Sequence, residues 1–250
     1  MENDLSSAGR QVPGNSIIDL PVDNTFFVVV PAYNEAAVLT DVLDDVARVV
    51  PPKQMIVVDD GSTDETSQIA TESGALIVKH LINRGQGAAL ATGIQAALQC
   101  GAEIIVTFDA DGQHQADDIQ TLVEPILTGQ ADVVLGTRFG KDAKAEQMPS
   151  LRRVLLRAGA VFTWLFSGIR ISDPHNGLRA LSGQAARQIR IRQDRMSHAS
   201  EILEQIKFHR LRFVERPVHV RYTAYSIGKG QRNRDAFKIA MKLILRKVHD

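Results

Sequence analysis

Three apolar runs in the first half of the chain end in the same way, with polar and acidic residues directly after the last apolar position. These endings lie at residues 31–35, 59–64 and 109–114. The runs have the β-branched and aromatic composition of strands, and apolar residues at helical spacing follow the first two runs. This alternation predicts parallel strands joined by crossover helices. Because an open α/β sheet binds ligands at the carboxyl ends of its strands, the three endings predict one ligand site.

A polar tail precedes the predicted sheet. The tail, residues 1–24, contains scattered Gly, Pro and Asn and little periodicity, so we expect it to be flexible, with order beginning near Thr25. Strands are predicted at residues 26–30, 55–58, 75–78, 104–108 and 133–135, and helices at 38–46, at 87–100, at 119–127 and around 69–70.

Length and composition favour one domain. The chain has 250 residues, 44% of them apolar, which is enough for one α/β core of good size or at most two small ones. The single cysteine, Cys100, cannot form an internal disulfide, and no basic start leads into an apolar secretory segment. We therefore expect a cytoplasmic protein.

The net charge of zero conceals an uneven distribution. Residues 1–130 carry 5 basic and 19 acidic side chains, whereas residues 131–250 carry 24 and 10. An acidic half with a cation site suits a metal-bound nucleotide, and a basic half suits a second anion such as a phosphate, a nucleic acid or an anionic membrane surface. The alternative is a chance asymmetry of solvated faces.

Two segments of the basic half have the composition of membrane-surface helices. Residues 158–169 are uncharged and apolar but too few to span a bilayer, which requires about 20 residues. They fit a buried helix or a helix lying in the membrane plane, with Arg152 and its neighbours facing the head groups. Residues 231–250 are predicted to form a basic amphipathic helix, which fits ordinary packing or a membrane contact.

The third ending contains the residues best suited to a metal ion. Asp109 and Asp111 lie one residue apart after an apolar run, and the amide of Gln113 follows. Such oxygen ligands suit a hard divalent cation that keeps some water and bridges substrate phosphates. The spacing of an EF-hand is broken at Gly112, and the seven histidines show no zinc-ligand spacing. We interpret His114 as a loop hydrogen-bonding residue.

The first two endings offer groups for a nucleotide. Tyr33 and Asn34 lie at a turn where a ring and an amide can hold a base and ribose. Residues 62–64 fit helix capping, whereas Asp60 has no partner evident in the sequence and is the better ligand. Residues 83–87 open a helix after a strand but lack the third glycine of a dinucleotide fingerprint, so at most they approach a diphosphate.

Together, these motifs resemble the family 2 glycosyltransferases, and within them the dolichyl-phosphate mannose synthase-like branch. The resemblance covers residues 25–230, and its carriers, in order, are VVVPAYNE, VVDDGSTD, NRGQGAAL, FDADGQH, LGTRF, DPHNGLRAL and VERPV. It implies a GT-A fold: a single Rossmann-like sheet, mixed but mainly parallel, flanked by helices, with C-terminal amphipathic helices after it. It also implies a nucleotide-sugar donor carrying UDP or GDP.

The same resemblance assigns roles to individual residues. It implies Mg²⁺ or Mn²⁺ held by the donor diphosphate together with Asp109, Asp111 and Gln113. It places Pro31, Tyr33, Glu35 and Asp60 in the nucleotide pocket, and Arg138 and Arg152 on the acceptor phosphate.

Some positions depart from the family pattern. Gln86 stands where lysine is frequent, which puts a diphosphate role of residues 83–87 in doubt, and the GFR-type motif reads Gly177-Leu178-Arg179. Trp164 is not in the QxxRW arrangement of processive polysaccharide synthases, which argues against a polymerase.

Residues 222–234 resemble the family's mobile loop near donor and acceptor. Anchored relatives carry a membrane anchor after the catalytic domain, and we expect none in this chain. If the acceptor is a lipid, we therefore expect the chain to reach the bilayer through its own basic helices or a separate membrane protein.

These observations predict an inverting, metal-dependent transferase that moves one sugar from a UDP- or GDP-sugar to polyprenyl phosphate, as a peripheral protein at the cytoplasmic membrane face. We expect Asp111, Arg138 and Glu201 to take part in catalysis. A hydroxyl acceptor on a glycan or small molecule is the nearest alternative, and it would require a general base such as Glu201 or Asp173. An Asp-x-Asp phosphohydrolase is a further alternative. Nucleic-acid binding is disfavoured because only 5% of the residues are aromatic.

Overall fold

The computed structural model describes residues 25–139, the backbone of 145–146, residues 168–194 and residues 197–222. The strands within these ranges are β1 (Phe26–Ala32), β2 (Met55–Asp59), β3 (Leu76–Lys79), β4 (Ile104–Thr107), β5 (Val133–Thr137), β6 (Ala145–Glu146), β7 (Arg179–Ser182), β8 (Phe213–Pro217) and β9 (Val220–Arg221). The helices are α1 (Ala36–Ala47), α2 (Thr66–Glu72), α3 (Gln86–Gln99), α4 (Asp118–Leu127), α5 (Gly183–Gln188) and α6 (His198–Phe208), with a short 3₁₀ helix at Pro52–Gln54.

Seven strands form one mixed sheet in the order β3-β2-β1-β4-β7-β5-β8. Strand β7 is antiparallel to both of its neighbours, β4 and β5, and the other pairings are parallel. The predicted strands and crossover helices are confirmed, with bounds that differ from the prediction by a few residues at most.

The core lies on both faces of the sheet, as continuous apolar runs in parallel strands require. On β1, Val28 and Val30 pack with Leu39 of α1 and Leu122 of α4 on one face. The alternate residues, such as Val29, pack with residues of α3 and α6 on the other face. This arrangement fixes the orientation of β1 and leaves its carboxyl end to deliver polar residues to the sheet edge.

Strands β7 and β8 were not predicted. The sequence of β7, Arg-Ala-Leu-Ser, is short and begins with a charged residue, but β4 and β5 supply hydrogen-bonding partners on both of its sides. Strand β8 carries Glu215, Arg216 and Pro217, a composition tolerated because it is the last strand of the sheet. Tertiary pairing therefore overrides weak local preference at both places.

The last described segment crosses the loop that follows β4. Strand β9 pairs with β6, Val220 forms a β-bridge with His114, and the Arg221 N–H donates to the Gln113 carbonyl over 2.8 Å. Residues 218–222, which we call the strap, therefore hold the loop of residues 109–114 from outside.

The predictions for residues 1–24, 158–169 and 231–250 fall outside the described residues. Within the described part of the chain, no helix combines the length and apolar character needed to cross a membrane.

Candidate active site

The loops after β1 and β2 are interlocked by hydrogen bonds. The backbone N–H of Asn34 donates to the Ser62 hydroxyl over 3.0 Å, and the Thr63 N–H donates to the Asn34 side-chain oxygen over 2.9 Å. The carboxylate of Asp64 accepts from the Thr66 and Ala36 N–H groups at the starts of α2 and α1. Asp64 therefore caps the starts of both helices, as predicted, whereas Ser62 and Thr63 bind the Asn34 loop instead. These bonds join the two strand endings into one surface.

Three residues predicted for the nucleotide pocket, Pro31, Tyr33 and Glu35, lie at the end of β1 and in the loop that follows it. Pro31 is buried in β1, whereas Tyr33 is 41% exposed on the loop that follows. The Glu35 N–H donates to the Thr66 hydroxyl over 2.9 Å, and the negative charge of Glu35 contributes to raising the pKa of Asp111. The structure thus brings this loop next to the acidic ending of β4, and nucleotide contact by the three residues stays a prediction.

Asp60 is buried and fully engaged by the β3–α3 loop. Its Oδ1 lies 2.6 Å from His80 Nδ1 and accepts from the Arg84 N–H over 3.0 Å, while Oδ2 accepts from the Gly85 N–H over 2.6 Å. On its other side, His80 Nε2 lies 2.9 Å from the Thr92 hydroxyl on α3. Asp60 therefore fastens the start of α3 to the end of β2. Its direct contact with a nucleotide stays a prediction.

The carboxylate of Asp109 is enclosed by groups from three parts of the chain. Oδ1 accepts from Gln86 Nε2 over 2.8 Å, and Oδ2 lies 3.4 Å from His114 Nε2. An ideal Cβ at Gly177 would lie 2.0 Å from Oδ2, so only glycine permits this approach. Although burial opposes ionisation, the hydrogen bond and positive charge of His114, with the charge of Arg179, lower the pKa of Asp109.

Asp111 lies beside this group, and its negative charge is less fully compensated than that of Asp109. Burial and the negative charge of Asp109 raise the pKa of Asp111 to about 6. Its Oδ1 accepts from the Gln113 N–H over 3.0 Å, so Gln113 orients the carboxylate through its backbone, and ligation by its side chain stays a prediction.

Two neighbouring acidic side chains that repel each other fit a divalent cation. In the described ranges, no cluster of three or more His, Cys, Asp or Glu side chains could hold a metal by itself. Two carboxylates completed by substrate phosphates and water are the usual way in which proteins bind Mg²⁺.

Arg138 forms a buried two-point ion pair with Asp173. Its Nε and Nη2 each donate to the carboxylate over 2.7 Å, and the Arg138 N–H donates to the same group over 3.0 Å. Although burial opposes both charges, the pair lowers the pKa of Asp173 and raises the pKa of Arg138. The remaining nitrogen, Nη1, lies 3.4 Å from the Tyr222 hydroxyl of the strap.

Arg179 interacts through its charge with both Asp109 and Asp173. It was not identified from the sequence as a site residue. Burial lowers the pKa of Arg179 to about 10, opposed by the charges of Asp109 and Asp173. Its Nη2 donates to the Pro174 carbonyl over 3.2 Å. The signal available in the sequence was the DPHNGLRAL motif, in which Arg179 and Asp173 are only six residues apart.

Glu201 lies in the first turn of α6 and holds the loop that precedes it. Its Oε2 accepts from the Arg192 and Gln193 N–H groups, each over 2.9 Å. In the same turn, buried His198 contributes to lowering the pKa of Asp109. A catalytic role of Glu201 stays a prediction, and Arg152 lies outside the described residues.

Comparison with known proteins assigns the family. The model of the family described as Glycosyl transferase family 2 matches residues 27–190, which are more than half of the chain. The chain belongs to this family. The glycosyltransferase is 38% identical over 236 residues to an uncharacterized protein of Methanocaldococcus jannaschii, covering 94% of this chain and 97% of the relative. It is 32% identical over 245 residues to the UDP-N-acetylglucosamine–dolichyl-phosphate N-acetylglucosaminyltransferase of Methanococcus voltae, covering 90% and 97%.

Solved structures confirm the GT-A fold of the glycosyltransferase. The glucosyl-3-phosphoglycerate synthase of Mycobacterium tuberculosis, crystallised with Mn²⁺, UDP-glucose and phosphoglyceric acid, superposes with a TM-score of 0.64 at 22% identity. The match covers 88% of this chain and 77% of that chain. At this identity, the likeness establishes the fold alone.

The close approach of Gly177 to Asp109 predicts a coupled pair of substitutions. The backbone at Gly177 is outside the left-handed region, so Gly177→Ala introduces a clash without backbone strain. We expect it to lower the free energy of unfolding by about 1–3 kcal/mol. In an Asp109→Ala background, the loss is expected to shrink by about 1 kcal/mol, measured by urea unfolding of all four proteins. Equal losses in both backgrounds would contradict the contact.

The buried pair of Arg138 and Asp173 predicts a pH-dependent stability. Asp173→Asn is expected to lower the free energy of unfolding by about 3–5 kcal/mol at neutral pH, because it leaves the guanidinium buried without its counter-charge. The pKa of Asp173 in the folded protein lies below its ordinary value of 3.8. The ion pair therefore stabilises the folded protein fully at pH values above 3.8. Its contribution disappears as the pH falls through the lowered pKa.

Urea unfolding of wild type and variant from neutral to acid pH measures this difference. The matched control is Asp132→Asn, whose partner Arg212 is 60% exposed, and we expect a loss of at most about 1 kcal/mol there. A difference between wild type and Asp173→Asn that persists unchanged at acid pH would contradict the assignment.

Proposed function

We propose that this family 2 glycosyltransferase is an inverting, metal-dependent enzyme that transfers a single sugar from a UDP- or GDP-sugar to polyprenyl phosphate at the cytoplasmic face of the membrane. The choice of acceptor rests on the two-point ion pair between Arg138 and Asp173, because this pair makes Asp173 unavailable as a general base. The Methanococcus voltae relative is a dolichyl-phosphate N-acetylglucosaminyltransferase, which supports the same acceptor class.

A hydroxyl acceptor requires a base, and both carboxylates predicted for that role are engaged. Both oxygens of Asp173 bind Arg138, and the lowered pKa of Asp173 makes it a poor proton acceptor. One oxygen of Glu201 binds two backbone N–H groups. Asp111 is assigned to the cation. A phosphate oxygen is already anionic near neutral pH and needs no base, so a lipid phosphate fits this arrangement better than a hydroxyl.

Asp109 and Asp111 would hold Mg²⁺ or Mn²⁺ together with the donor diphosphate, with Gln113 as a further ligand. When bound, the cation stabilises the negative charge that develops on the leaving diphosphate. Pro31, Tyr33 and the other residues predicted for the nucleotide pocket hold the base and ribose. The acceptor oxygen then attacks the anomeric carbon from the face opposite the diphosphate, which inverts its configuration.

Arg138 and Arg152 orient the acceptor phosphate in this proposal. Asp173 accepts from two of the five guanidinium N–H groups of Arg138, and Nη1, which lies near Tyr222, is the nitrogen that does not bind Asp173. The ion pair therefore fixes the direction of Nη1, and we assign Nη1 to a phosphate oxygen. Access to the lipid would come from the chain's own basic segments or from a separate membrane protein, and the proposal includes no nucleic-acid partner.

A transfer assay tests this function directly. Purified protein is incubated with Mn²⁺ or Mg²⁺, polyprenyl phosphate in detergent, and separate radiolabelled UDP- and GDP-sugars, and label is counted in the organic phase. We expect label from one nucleotide class, reduced at least about 100-fold by Asp111→Asn and by chelation of the metal. The control Asp132→Asn removes a carboxylate paired with Arg212 and is expected to retain transfer.

Contrary outcomes identify the alternatives. Transfer to a small-molecule or glycan hydroxyl without transfer to the lipid would overturn the acceptor. Release of free phosphate without sugar transfer would favour the phosphohydrolase. Full activity in the presence of excess chelator would overturn the metal dependence.

A further inference from the structure

We propose that Gln86 is a positioning residue that sets the affinity of the site for a divalent cation by donating a hydrogen bond from its neutral amide to the carboxylate of Asp109. This inference rests on the proposed cation site at Asp109 and Asp111. The bond joins Gln86 Nε2 to Asp109 Oδ1 over 2.8 Å, and Gln86 is the first residue of the 14-residue helix α3.

The backbone on the amino-terminal side of Gln86 is fixed from the sheet. The Arg84 and Gly85 N–H groups both donate to the buried carboxylate of Asp60. Asp60 is in turn bound to His80, and His80 contacts the hydroxyl of Thr92, six residues after Gln86 in α3. The start of α3 therefore cannot shift without breaking a buried network.

The backbone on the carboxyl-terminal side of Gln86 is fixed from the opposite direction. The Gly87 and Ala88 N–H groups donate to the Asp194 carbonyl over 2.9 and 3.3 Å. An ideal Cβ at Gly87 would lie 2.0 Å from the Gln193 carbonyl oxygen, so this approach requires a glycine. Gln86 lies between the two anchored pairs of residues, and its side chain projects onto Asp109 from a fixed base.

The neutral amide suits a carboxylate that must keep its charge for a cation. A hydrogen bond from an amide orients Asp109 without adding a positive charge next to Asp109 and Asp111. A lysine at this position would orient the same carboxylate but would add a positive charge close to the cation. Groups that orient metal ligands from the next layer typically change metal affinity by about 10–100-fold when they are removed.

Mn²⁺ binding measured without turnover tests the inference. Free Mn²⁺ is followed by electron paramagnetic resonance during titration of the full chain, in separate series with UDP and with GDP. Gln86→Lys is expected to weaken binding at least about ten-fold through charge. Gln86→Met, which keeps the length but not the donor, is expected to weaken it about ten-fold through lost orientation.

A matched variant and a stability measurement separate positioning from misfolding. Gln99→Lys makes the same charge change at the exposed far end of α3, about 20 Å along the helix, and is expected to leave Mn²⁺ affinity within about two-fold. Thermal unfolding without metal is expected to stay a single cooperative transition in both Gln86 variants, with the midpoint of Gln86→Met lowered by several degrees because the buried Asp109 carboxylate loses one donor.

The outcomes distinguish this inference from the proposed function. If wild type binds Mn²⁺ and both Gln86 variants bind it equally well, the role of Gln86 is overturned while the proposed function stands. If wild type binds no Mn²⁺ with either nucleotide, the cation site itself is overturned and the role of Gln86 with it. Weaker binding by both variants, with cooperative thermal unfolding retained and a normal Gln99→Lys, supports the inference.

Discussion

The ionised carboxylate of Asp109, largely buried where β4 ends, is the group around which the rest of the site is arranged. A buried charge must be compensated by hydrogen bonds and opposite charge, or the folded state loses several kcal/mol. The compensation comes from Gln86 on α3, His114 in the same loop, Arg179 on β7 and His198 on α6. Segments far apart in the sequence therefore contribute to stabilising this one carboxylate.

The antiparallel insertion of β7 between β4 and β5 brings one of these compensating charges, Arg179, to the site. In that register, Arg179 is opposite Thr107, the last residue of β4, and also opposite Leu135, two residues before β5 ends. Thr107 donates to the Gly177 carbonyl over 2.7 Å, which sets the glycine against Asp109. From Asp109, charges alternate through Arg179 and Asp173 to Arg138. Removing any one leaves its neighbours uncompensated, so we expect substitutions within this set to be non-additive.

The sequence predicted the parts of this arrangement that depend on local pattern. Continuous apolar runs identified β1, β2 and β4, and the acidic endings located Asp109 and Asp111 at the correct sheet edge. Contacts that depend on distant residues could not be read in the same way. Asp60 had no evident partner because its partners are two backbone N–H groups and a histidine 20 residues away. Arg179 lay in a strand that exists only because neighbouring strands pair with it.

The sheet order also gives a physical meaning to the uneven charge of the chain. The strands β3-β2-β1-β4 all come from residues before 130, the acidic half, and β7-β5-β8 all come from the basic half. Asp109 and Arg179 meet where β4 and β7 adjoin. A cation-bound donor on the acidic side and an anionic acceptor on the basic side would thus face each other across this boundary. The acidic side would attract the cation and the basic side an anion, so the charge pattern supports an acceptor that is itself an anion.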